Sequence, residues 1–285
     1  MMRRRILLCG KGLLACRAVG YLDDLTALLV PDWRLAGLPV AADAGIDTWE
    51  PSFRKACAER GVEMVASVAT ARLGPGDVLF SLQYDRIIRL EELGGARAFN
   101  LHFSALPQYR GCFPSVWPLR QGEKRAGVTL HVLTAGIDDG DVVDQRCFDL
   151  PGFLTAYDLY RLYHLHGHEL LRCNVEAILN GKEKALPQDA SRASYYDRKS
   201  IDFAQRELRC REMAVGECVN LARSLMFEPY QMPTFEGREV VSCEPVEWRA
   251  GREAMPSLPA VMQQNACSAV VRCKDGFVRL CFRSD

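Results

Sequence analysis

The hydrophobic residues in the first half of the chain fall into short continuous runs, and helix-length segments separate these runs. Such runs are typical of strands in a parallel sheet that is covered on both faces. The runs that predict strands are 5–9, 26–30, 62–68, 78–82 and 96–101. Residues 13–22, after the first run, are compatible with a helix. This half is therefore predicted to be an α/β layer with a doubly wound, mostly parallel sheet.

The pattern changes twice after this layer. Two further predicted strands, 127–133 and 142–150, flank a loop that is rich in glycine and aspartate and can bend sharply. Residues 154–179 predict one long helix, because apolar positions recur three or four residues apart. The polar stretch that follows this helix places a domain boundary near residue 185, between a large domain (1–185) and a C-terminal appendage (186–285).

The appendage is predicted to be a small α+β unit. It contains a predicted helix and four strand-like pieces at 216–226, 233–235, 239–244, 269–273 and 277–282. Lys274-Asp275-Gly276 indicates a hairpin turn between the last two pieces. The segment from Arg249 to Asn265 contains two prolines and little periodicity, so a loop, an interface arm and a disordered segment all stay open for it.

Composition and charge narrow the classes of function. The 285 residues are 48% apolar and 25% charged, as in an ordinary globular protein. The 36 basic and 36 acidic residues balance, which argues against a broad nucleic-acid-binding surface. The 12 cysteines are scattered without a C-x-x-C pair, as expected for small buried hydrophobes in a reducing cytoplasm. The apolar run behind the basic start ends at Gly10, which is too short for a signal peptide or a membrane span.

Three polar residues form the main candidate for chemistry. Asn100 and His102 are two residues apart at the end of a predicted strand, so they project from one face at the edge where α/β sheets bind ligands. Asp138 lies on the flexible loop after the next strand and can reach the histidine. A carboxylate beside a histidine favours the charged imidazole, and an asparagine amide can donate to an oxyanion. On its own, an N-x-H triplet is more often a helix-capping asparagine and a core-facing histidine than a catalytic pair.

Two other patterns are weaker. Gly10-Lys11-Gly12 lacks the third glycine of a dinucleotide-binding loop, so it predicts a turn from strand to helix, and an NAD-type oxidoreductase is a minor alternative. His164 and His168 are four residues apart on a helix, a spacing that can bind zinc. Since no third ligand accompanies them, His164, His166 and His168 are predicted to lie on a solvated helix face, and no metal is expected.

Three motifs in sequence carry a family resemblance. The run N-x-H-x-S-x-L-P-x-Y-R-G is followed by G-V-T-x-H and then by I-D-x-G-D. In this combination and order, they resemble the formyltransferase family that uses 10-formyltetrahydrofolate. That family includes glycinamide ribonucleotide, methionyl-tRNA and sugar-nucleotide N-formyltransferases. The resemblance is firm over residues 77–145 and extends over 5–181.

The resemblance implies a fold, a catalytic trio and a mechanism. The fold would be the Rossmann-like formyltransferase fold, with 1–185 as catalytic domain. Asn100, His102 and Asp138 would be catalytic: an amine attacks the formyl carbon, Asn100 and protonated His102 hold the oxyanion, and Asp138 orients His102 and helps to move a proton. Phe103 departs from the family, where many members have proline or glycine.

The resemblance also implies binding residues. The folate co-substrate, 10-formyltetrahydrofolate, would contact mainly the backbone of two segments, represented by Leu82, Gln83, Tyr84, Gly136, Ile137, Asp139, Gly140 and Asp141. The candidate contacts to the acceptor substrate are Ser104, Tyr109, Arg110 and Gly111.

Four further segments bear on the acceptor substrate. Residues 109–114 and 141–145 are similar to the amino-sugar branch of the family, including the formyltransferase for a 4-amino-arabinose nucleotide. Residues 194–196 and 223–233 are similar to enzymes that formylate nucleotide-linked 4-amino-4,6-dideoxy sugars. A nucleotide-linked amino sugar is therefore expected, and a homodimer is possible. Methionyl-tRNA and a siderophore or antibiotic amine are alternative acceptors, and a non-catalytic sugar-binding relative is an alternative of another class.

Overall fold

The structure, a computed structural model, describes residues 4–247 and 261–283. Most of the segment that the sequence left open, residues 249–260, lies outside this described range, as do the first three residues. The strands up to residue 200 are β1 (Arg4–Gly10), β2 (Trp33–Pro39), β3 (Glu63–Met64), β4 (Val78–Leu82), β5 (Arg97–His102), β6 (Arg110–Gly111), β7 (Arg125–Val132), β8 (Val142–Asp149) and β9 (Tyr195–Tyr196). The helices are α1 (Gly12–Leu28), α2 (Phe53–Glu59), α3 (Val68–Ala71), α4 (Trp117–Arg120), α5 (Ala156–Leu179) and α6 (Val215–Leu225).

Seven of these strands form one mostly parallel sheet with the order β3-β2-β1-β4-β5-β7-β8. The pairs from β3 through β5 are parallel, and β7 runs antiparallel to β5. Every residue of β4 is buried, which explains its uninterrupted apolar run. Phe80 of β4 and Phe99 of β5 are register partners, and their ring centroids are 5.9 Å apart. The predicted α/β class and mostly parallel sheet are confirmed.

Two predicted strands were wrong. Residues 26–30 are the end of α1 and the turn after it, and the second strand is β2 instead. Helix α1 buries Leu14, Ala18 and Leu22 at helical spacing, whereas Leu28 and Leu29 are exposed. Within the run 62–68, only the two residues of β3 form a strand, and both are exposed. Helix α3 then begins at Val68, with Ser67 as its N-cap.

The long helix α5 packs closely on β5 through a glycine. A side-chain carbon built on Gly167 would lie 2.9 Å from Leu101 Cδ2, and Leu101 is buried between Asn100 and His102 in the sequence. Phe103, directly after β5, stacks on Tyr163 of α5 with ring centroids 5.2 Å apart. Tight packing of this helix therefore holds the strand that carries two candidate site residues.

The C-terminal appendage contains a five-stranded antiparallel sheet with the order β10-β11-β14-β13-β12. Its strands are β10 (Thr234–Phe235), β11 (Arg238–Val246), β12 (Val261–Gln264), β13 (Ser268–Arg272) and β14 (Phe277–Phe282). Strands β13 and β14 pair as a hairpin, as predicted. Cys218 and Ala222 of α6 belong to the apolar core of this unit. Strand β12 was not predicted, because it lies within the segment 249–265, which has little periodicity.

The chain divides into two compact units that do not follow one cut in the sequence. One comprises residues 1–111, 127–147 and 162–195, and the other comprises 112–126, 148–161 and 196–285. The division into domains 1–185 and 186–285 stays a prediction. All 12 cysteines are free thiols. Within the described ranges, none of the helices combines the length and apolarity that crossing a membrane requires.

We expect the two helical glycines Gly167 and Gly216 to respond differently to replacement by alanine. Gly216→Ala in α6 should raise the free energy of unfolding by up to about 1 kcal/mol, because alanine favours helices and nothing lies within 4 Å of the new carbon. Gly167→Ala should lower it by roughly 1–3 kcal/mol, because the new carbon overpacks the buried Leu101. Urea unfolding of both variants measures this, and equal stabilisation by both would contradict the packing argument.

Candidate active site

Two cross-strand pairs form the floor of the candidate site. Asn100 and His102 of β5 are register partners of His131 and Thr129 of β7, respectively. Partners in an antiparallel pair project from the same face of a sheet, and residues two apart along a strand share that face. The four side chains are therefore neighbours. His102, Thr129 and His131 are buried.

The carboxylate of Asp138 is the centre of the site. Its Oδ1 accepts a hydrogen bond from Asn100 Nδ2 at 3.1 Å, and its Oδ2 accepts one from the Gly111 backbone N–H at 2.9 Å. His102 Nδ1 lies 3.4 Å from Oδ2, and His131 Nε2 lies 3.5 Å from Oδ1. Asp138 has a left-handed backbone with φ of 53°. Two side chains of β5 and the Gly111 N–H thus converge on one buried negative charge, with His131 of β7 beside them. The sequence predicted this proximity for Asn100, His102 and Asp138.

Burial and these polar contacts have opposite effects on the pKa of Asp138. Burial disfavours the charged form and alone would raise the pKa of Asp138. The charge interaction with His102, the contact with His131 and the hydrogen bond from the backbone N–H of Gly111 outweigh it, and the net pKa is far below that of an ordinary aspartate. Asp138 is therefore a carboxylate at neutral pH.

The hydrogen-bond pattern assigns the tautomer of His131 and the orientation of the Asn100 amide. His131 Nδ1 lies 2.9 Å from the Val132 carbonyl oxygen, which can only accept, so Nδ1 carries a proton. His131 Nε2 lies 3.1 Å from Asn100 Nδ2 and can accept from it when the ring is neutral. A flipped amide would place the Asn100 oxygen against the Asp138 carboxylate. Only the orientation with the Asn100 N–H groups towards His131 and Asp138 satisfies all partners.

Both ring nitrogens of His102 have neighbours. Nε2 donates to the Tyr109 carbonyl oxygen at 2.9 Å, and Nδ1 faces Asp138. Tyr109 has a left-handed backbone with φ of 61°, and its N–H donates to Ser194 Oγ at 2.8 Å. The ring is therefore fixed from both sides, with Nδ1 beside the carboxylate.

The four predicted substrate contacts differ in their surroundings. Ser104 is only 1% exposed, and its hydroxyl donates to the Gln108 carbonyl oxygen at 2.7 Å, so this side chain serves the loop. Arg110 is half-buried, and its Nη2 donates to Gln188 Oε1 at 2.7 Å. Tyr109 and Gly111 contribute backbone groups to the environment of His102 and Asp138.

The predicted folate segments are tightly built. Leu82 is buried and its carbonyl oxygen accepts from the Lys11 N–H at 3.3 Å, while Gln83 turns the chain with φ of 59°. In the other segment, the Thr134 hydroxyl donates to the Asp139 carboxylate, and the Asp141 carbonyl oxygen accepts from the Val132 N–H at 2.9 Å. The remaining members are half-buried Tyr84, exposed Gly136 and Ile137, and buried Gly140. Their folate contacts stay a prediction.

The predicted solvated face of α5 was wrong at His164. This ring is 2% exposed, packs edge-on against Phe103 at 5.0 Å, and lies 3.7 Å from Glu50 Oε1. Burial, with the positive charges of Arg17 and Lys11, lowers the pKa of His164 to about 3. The described residues contain no group of three or more His, Cys, Asp or Glu side chains arranged for a metal ion.

Glu50 lies at the amino end of α1. A side-chain carbon on Gly12 would come within 2.6 Å of Glu50 Oε1. A carboxylate therefore occupies the helix end where a dinucleotide-binding loop would hold phosphate.

Two site residues had no predicted role. His131 lies in the G-V-T-x-H motif, and its position two residues after Thr129 repeats the spacing of Asn100 and His102, which is a usable signal. Gln188 has no sequence signal, because it lies in a polar stretch without a motif. Its Nε2 donates to the carbonyl oxygens of Asp138 and Gly140 at 2.9 and 2.7 Å.

Residues 43–175 match the model of a protein family described as formyl transferase. Two solved structures are similar to almost the whole chain. One is WlaRD, a sugar 3N-formyl transferase crystallised in the presence of dTDP and 5-N-formyl-THF, with a TM-score of 0.85, 28% identity, and coverage of 98% of this chain and 97% of that chain.

The second solved structure is an N-formyltransferase from Helicobacter canadensis in complex with folinic acid and dTDP-3-aminofucose. It has a TM-score of 0.85 and 26% identity and covers 100% of both chains. A 4-N formyltransferase from Francisella tularensis has a TM-score of 0.66 and 18% identity and covers 82% of this chain and 93% of its own, which supports the fold alone.

We expect Asp138→Asn to lose stability in a pH-dependent way. Because folding lowers the pKa of Asp138, its contribution is fully present above the pKa of the unfolded aspartate, about 4, and is lost as the pH falls towards the folded value. The wild-type chain should exceed the variant by roughly 1–3 kcal/mol at pH 7, from charge-assisted hydrogen bonds. Urea unfolding between pH 7 and 3 measures the difference, and a difference that grows on acidification would contradict the assignment.

We expect His131 to act through the amide of Asn100. His131→Phe removes the acceptor at Nε2, so the amide can rotate, and kcat for the reaction of this site should fall roughly tenfold if a misplaced donor costs as much as one lost hydrogen bond. His131→Gln can restore an acceptor and should retain more activity than His131→Phe. Equal kcat for the two variants would show that the ring only fills space.

Proposed function

We propose that this chain, which belongs to the formyl transferase family, transfers a formyl group from 10-formyltetrahydrofolate to the amine of a nucleotide-linked amino sugar. The observation that carries the proposal is the convergence of Asn100 Nδ2, His102 Nδ1 and the Gly111 N–H around Asp138. Formyl transfer to an amine passes through a tetrahedral oxyanion, and a site of this kind supplies both oriented donors and a group that can take a proton.

Each member of the trio has a distinct proposed role. His131 holds one N–H of the Asn100 amide, and the other N–H, which donates to Asp138 in the structure, turns to the oxyanion when this forms. His102 shares a proton at Nδ1 with Asp138 and supplies positive charge to the same oxygen. Asp138, ionised at neutral pH, holds the imidazolium and accepts the proton that the attacking amine releases. This proton then passes to the folate nitrogen as the bond between that nitrogen and the formyl carbon breaks. This assignment needs no covalent intermediate on the protein.

The proposed folate contacts are the segments around Gln83 and Ile137, as the resemblance implies. When bound, the folate supplies the formyl group in an activated form. Ile137 is 46% exposed on the loop that carries Asp138, so an apolar ring can pack on it without a rearrangement of the core. The left-handed backbone of Gln83 turns the chain at the end of β4 and exposes backbone groups of this turn to a ligand.

Two positions on the acceptor sugar are candidates for the amine that is formylated. The sequence favours a 4-amino-4,6-dideoxy sugar, whereas two similar structures with more than 25% identity are a sugar 3N-formyl transferase and a complex with dTDP-3-aminofucose. We therefore propose a dTDP-linked 3-amino sugar as the first acceptor to test, beside the 4-amino isomer. Arg110 is the proposed contact to the diphosphate. A cytoplasmic location fits the 12 free thiols.

An NAD-type oxidoreductase is disfavoured by Glu50. Its carboxylate lies against Gly12 at the amino end of α1, so it would repel a dinucleotide phosphate there. A methionyl-tRNA acceptor is disfavoured by the absence of net positive charge in the sequence.

We expect the purified chain to formylate a dTDP-linked amino sugar in the presence of 10-formyltetrahydrofolate. The acceptors would be dTDP-linked 3-amino-3,6-dideoxy and 4-amino-4,6-dideoxy sugars and methionyl-tRNA, and mass spectrometry would detect the gain of one formyl group. His102→Ala and Asn100→Ala should each lower kcat by about a hundredfold or more, because the first removes the positive charge beside the oxyanion and the second removes its hydrogen-bond donor.

The acceptors separate the possible outcomes. Reaction of one sugar isomer alone assigns the amine position. Reaction of the tRNA alone would exclude the sugar proposal. Full activity of His102→Ala would exclude the proposed catalytic trio, even if the transfer itself takes place.

A further inference from the structure

Gln188 lies 50 residues after Asp138 in the sequence, beyond α5 and outside the matched family region, yet it contacts the candidate site. Its Nε2 donates to the carbonyl oxygens of Asp138 and Gly140, at 2.9 and 2.7 Å. Its Oε1 accepts from Arg110 Nη2 and Nε at 2.7 and 3.3 Å. One neutral side chain therefore connects the loop that carries Asp138 to the loop that carries Arg110.

The amide of Gln188 can face only one way. Two carbonyl oxygens, which can only accept, surround Nε2, and a guanidinium, which can only donate, faces Oε1. The opposite orientation would set oxygen against oxygen and N–H against N–H. The side chain is half-buried, so water would replace these bonds only partly.

Neighbouring residues hold Gln188 in place. Leu186 exchanges both backbone hydrogen bonds with Val142, at 2.7 and 2.9 Å. Ser194 binds the other loop: its carbonyl oxygen accepts from the Arg110 N–H at 2.9 Å, and its N–H donates to the Pro107 carbonyl oxygen at 3.3 Å. The polar segment 186–194 is thus anchored at both ends, with Gln188 between the anchors.

The contact with Gln188 does not neutralise the positive charge of Arg110. Gln188 is neutral, and among the described residues no carboxylate forms an ion pair with Arg110. The guanidinium is therefore oriented through Nε and Nη2, whereas Nη1 can bind an anion. A guanidinium held in this way is suited to a diphosphate, which it can bind through two parallel hydrogen bonds.

We propose that Gln188 is a positioning residue that fixes the Asp138 loop and the Arg110 guanidinium in one arrangement. The acceptor's diphosphate and the proton-accepting carboxylate are then held at a set separation. The inference rests on the proposed function, because it assigns the diphosphate of the nucleotide sugar to Arg110. Loss of the Nε2 donors frees the backbone of Asp138, whereas loss of Oε1 frees Arg110.

Loss of the contact with the Asp138 loop and loss of the contact with Arg110 should change the kinetics differently. Gln188→Met keeps the length of the side chain but removes both the Nε2 donor and the Oε1 acceptor. It should lower kcat about 10–100-fold, as expected for a catalytic group that is misplaced by a fraction of an ångström, and it should raise KM for the nucleotide sugar several-fold. Arg110→Met should raise that KM about tenfold or more and leave kcat nearly unchanged.

The double variant Gln188→Met/Arg110→Met provides the decisive test. With Arg110 absent, replacement of Gln188 should no longer raise KM, while its effect on kcat should persist. Gln205→Met is the matched control, since Gln205 is an exposed glutamine whose amide, among the described residues, bonds to Asp202 alone. Additive effects of both substitutions on KM, or a Gln188→Met variant with the kinetics of Gln205→Met, would overturn the inference.

Two further measurements keep the test independent of folding and of turnover. If Gln188→Met does not fold, Gln188→Glu retains the acceptor for Arg110 but sets a carboxylate against the two carbonyl oxygens, so kcat should still fall; unchanged kcat would refute the loop contact. Hydrogen–deuterium exchange of residues 134–141 should be faster in Gln188→Met than in Gln205→Met.

Titration with dTDP should show weaker binding in both Gln188→Met and Arg110→Met. If the wild-type chain formylates no acceptor, the proposed function fails. Exchange and dTDP binding then still decide the inference: unchanged values in both refute it.

Discussion

A buried negative charge is the constraint on which the site depends. The side chain of Asp138 is 10% exposed, and a carboxylate at such a position is stable only if donors replace the water that it loses. These donors come from β5 and from the backbone of Gly111, and His131 of β7 holds one of them, the Asn100 amide. The antiparallel register of β5 and β7 therefore does more than pack the two strands. A shift by one residue would turn the donors to the opposite face of the sheet.

The same constraint explains the irregular backbone around the site. Asp138 and Tyr109 both adopt left-handed conformations that cost free energy for residues with a side chain. Each is held by hydrogen bonds from a distant part of the chain: Gln188 binds the carbonyl oxygen of Asp138, and Ser194 binds the N–H of Tyr109. The regular sheet supplies rigid positions for Asn100 and His102, and the loops complete the site only because polar side chains fix them.

The sequence predicted the part of the site that follows from periodicity and motif. Alternation along one strand placed Asn100 and His102 together, and the family motif identified Asp138. The strand predicted at 26–30 was wrong, because an apolar run at the end of a helix looks the same as a buried strand. The burial of His164 was missed since helical spacing locates a face but not what packs against it. Pairings such as Gln188 with Arg110 depend on loop geometry, which no local pattern encodes.

The polar stretch after α5 contributes to the candidate site. A loss of apolar residues predicted a domain boundary near residue 185, and Leu186, Gln188 and Ser194 beyond it all bond to segments of the first compact unit. Loops that carry a functional site leave backbone groups in need of partners, and a polar segment that crosses them can supply these partners. Such a segment must be polar to serve this purpose, so the polar composition that predicted a boundary is also what allows the segment to build the site.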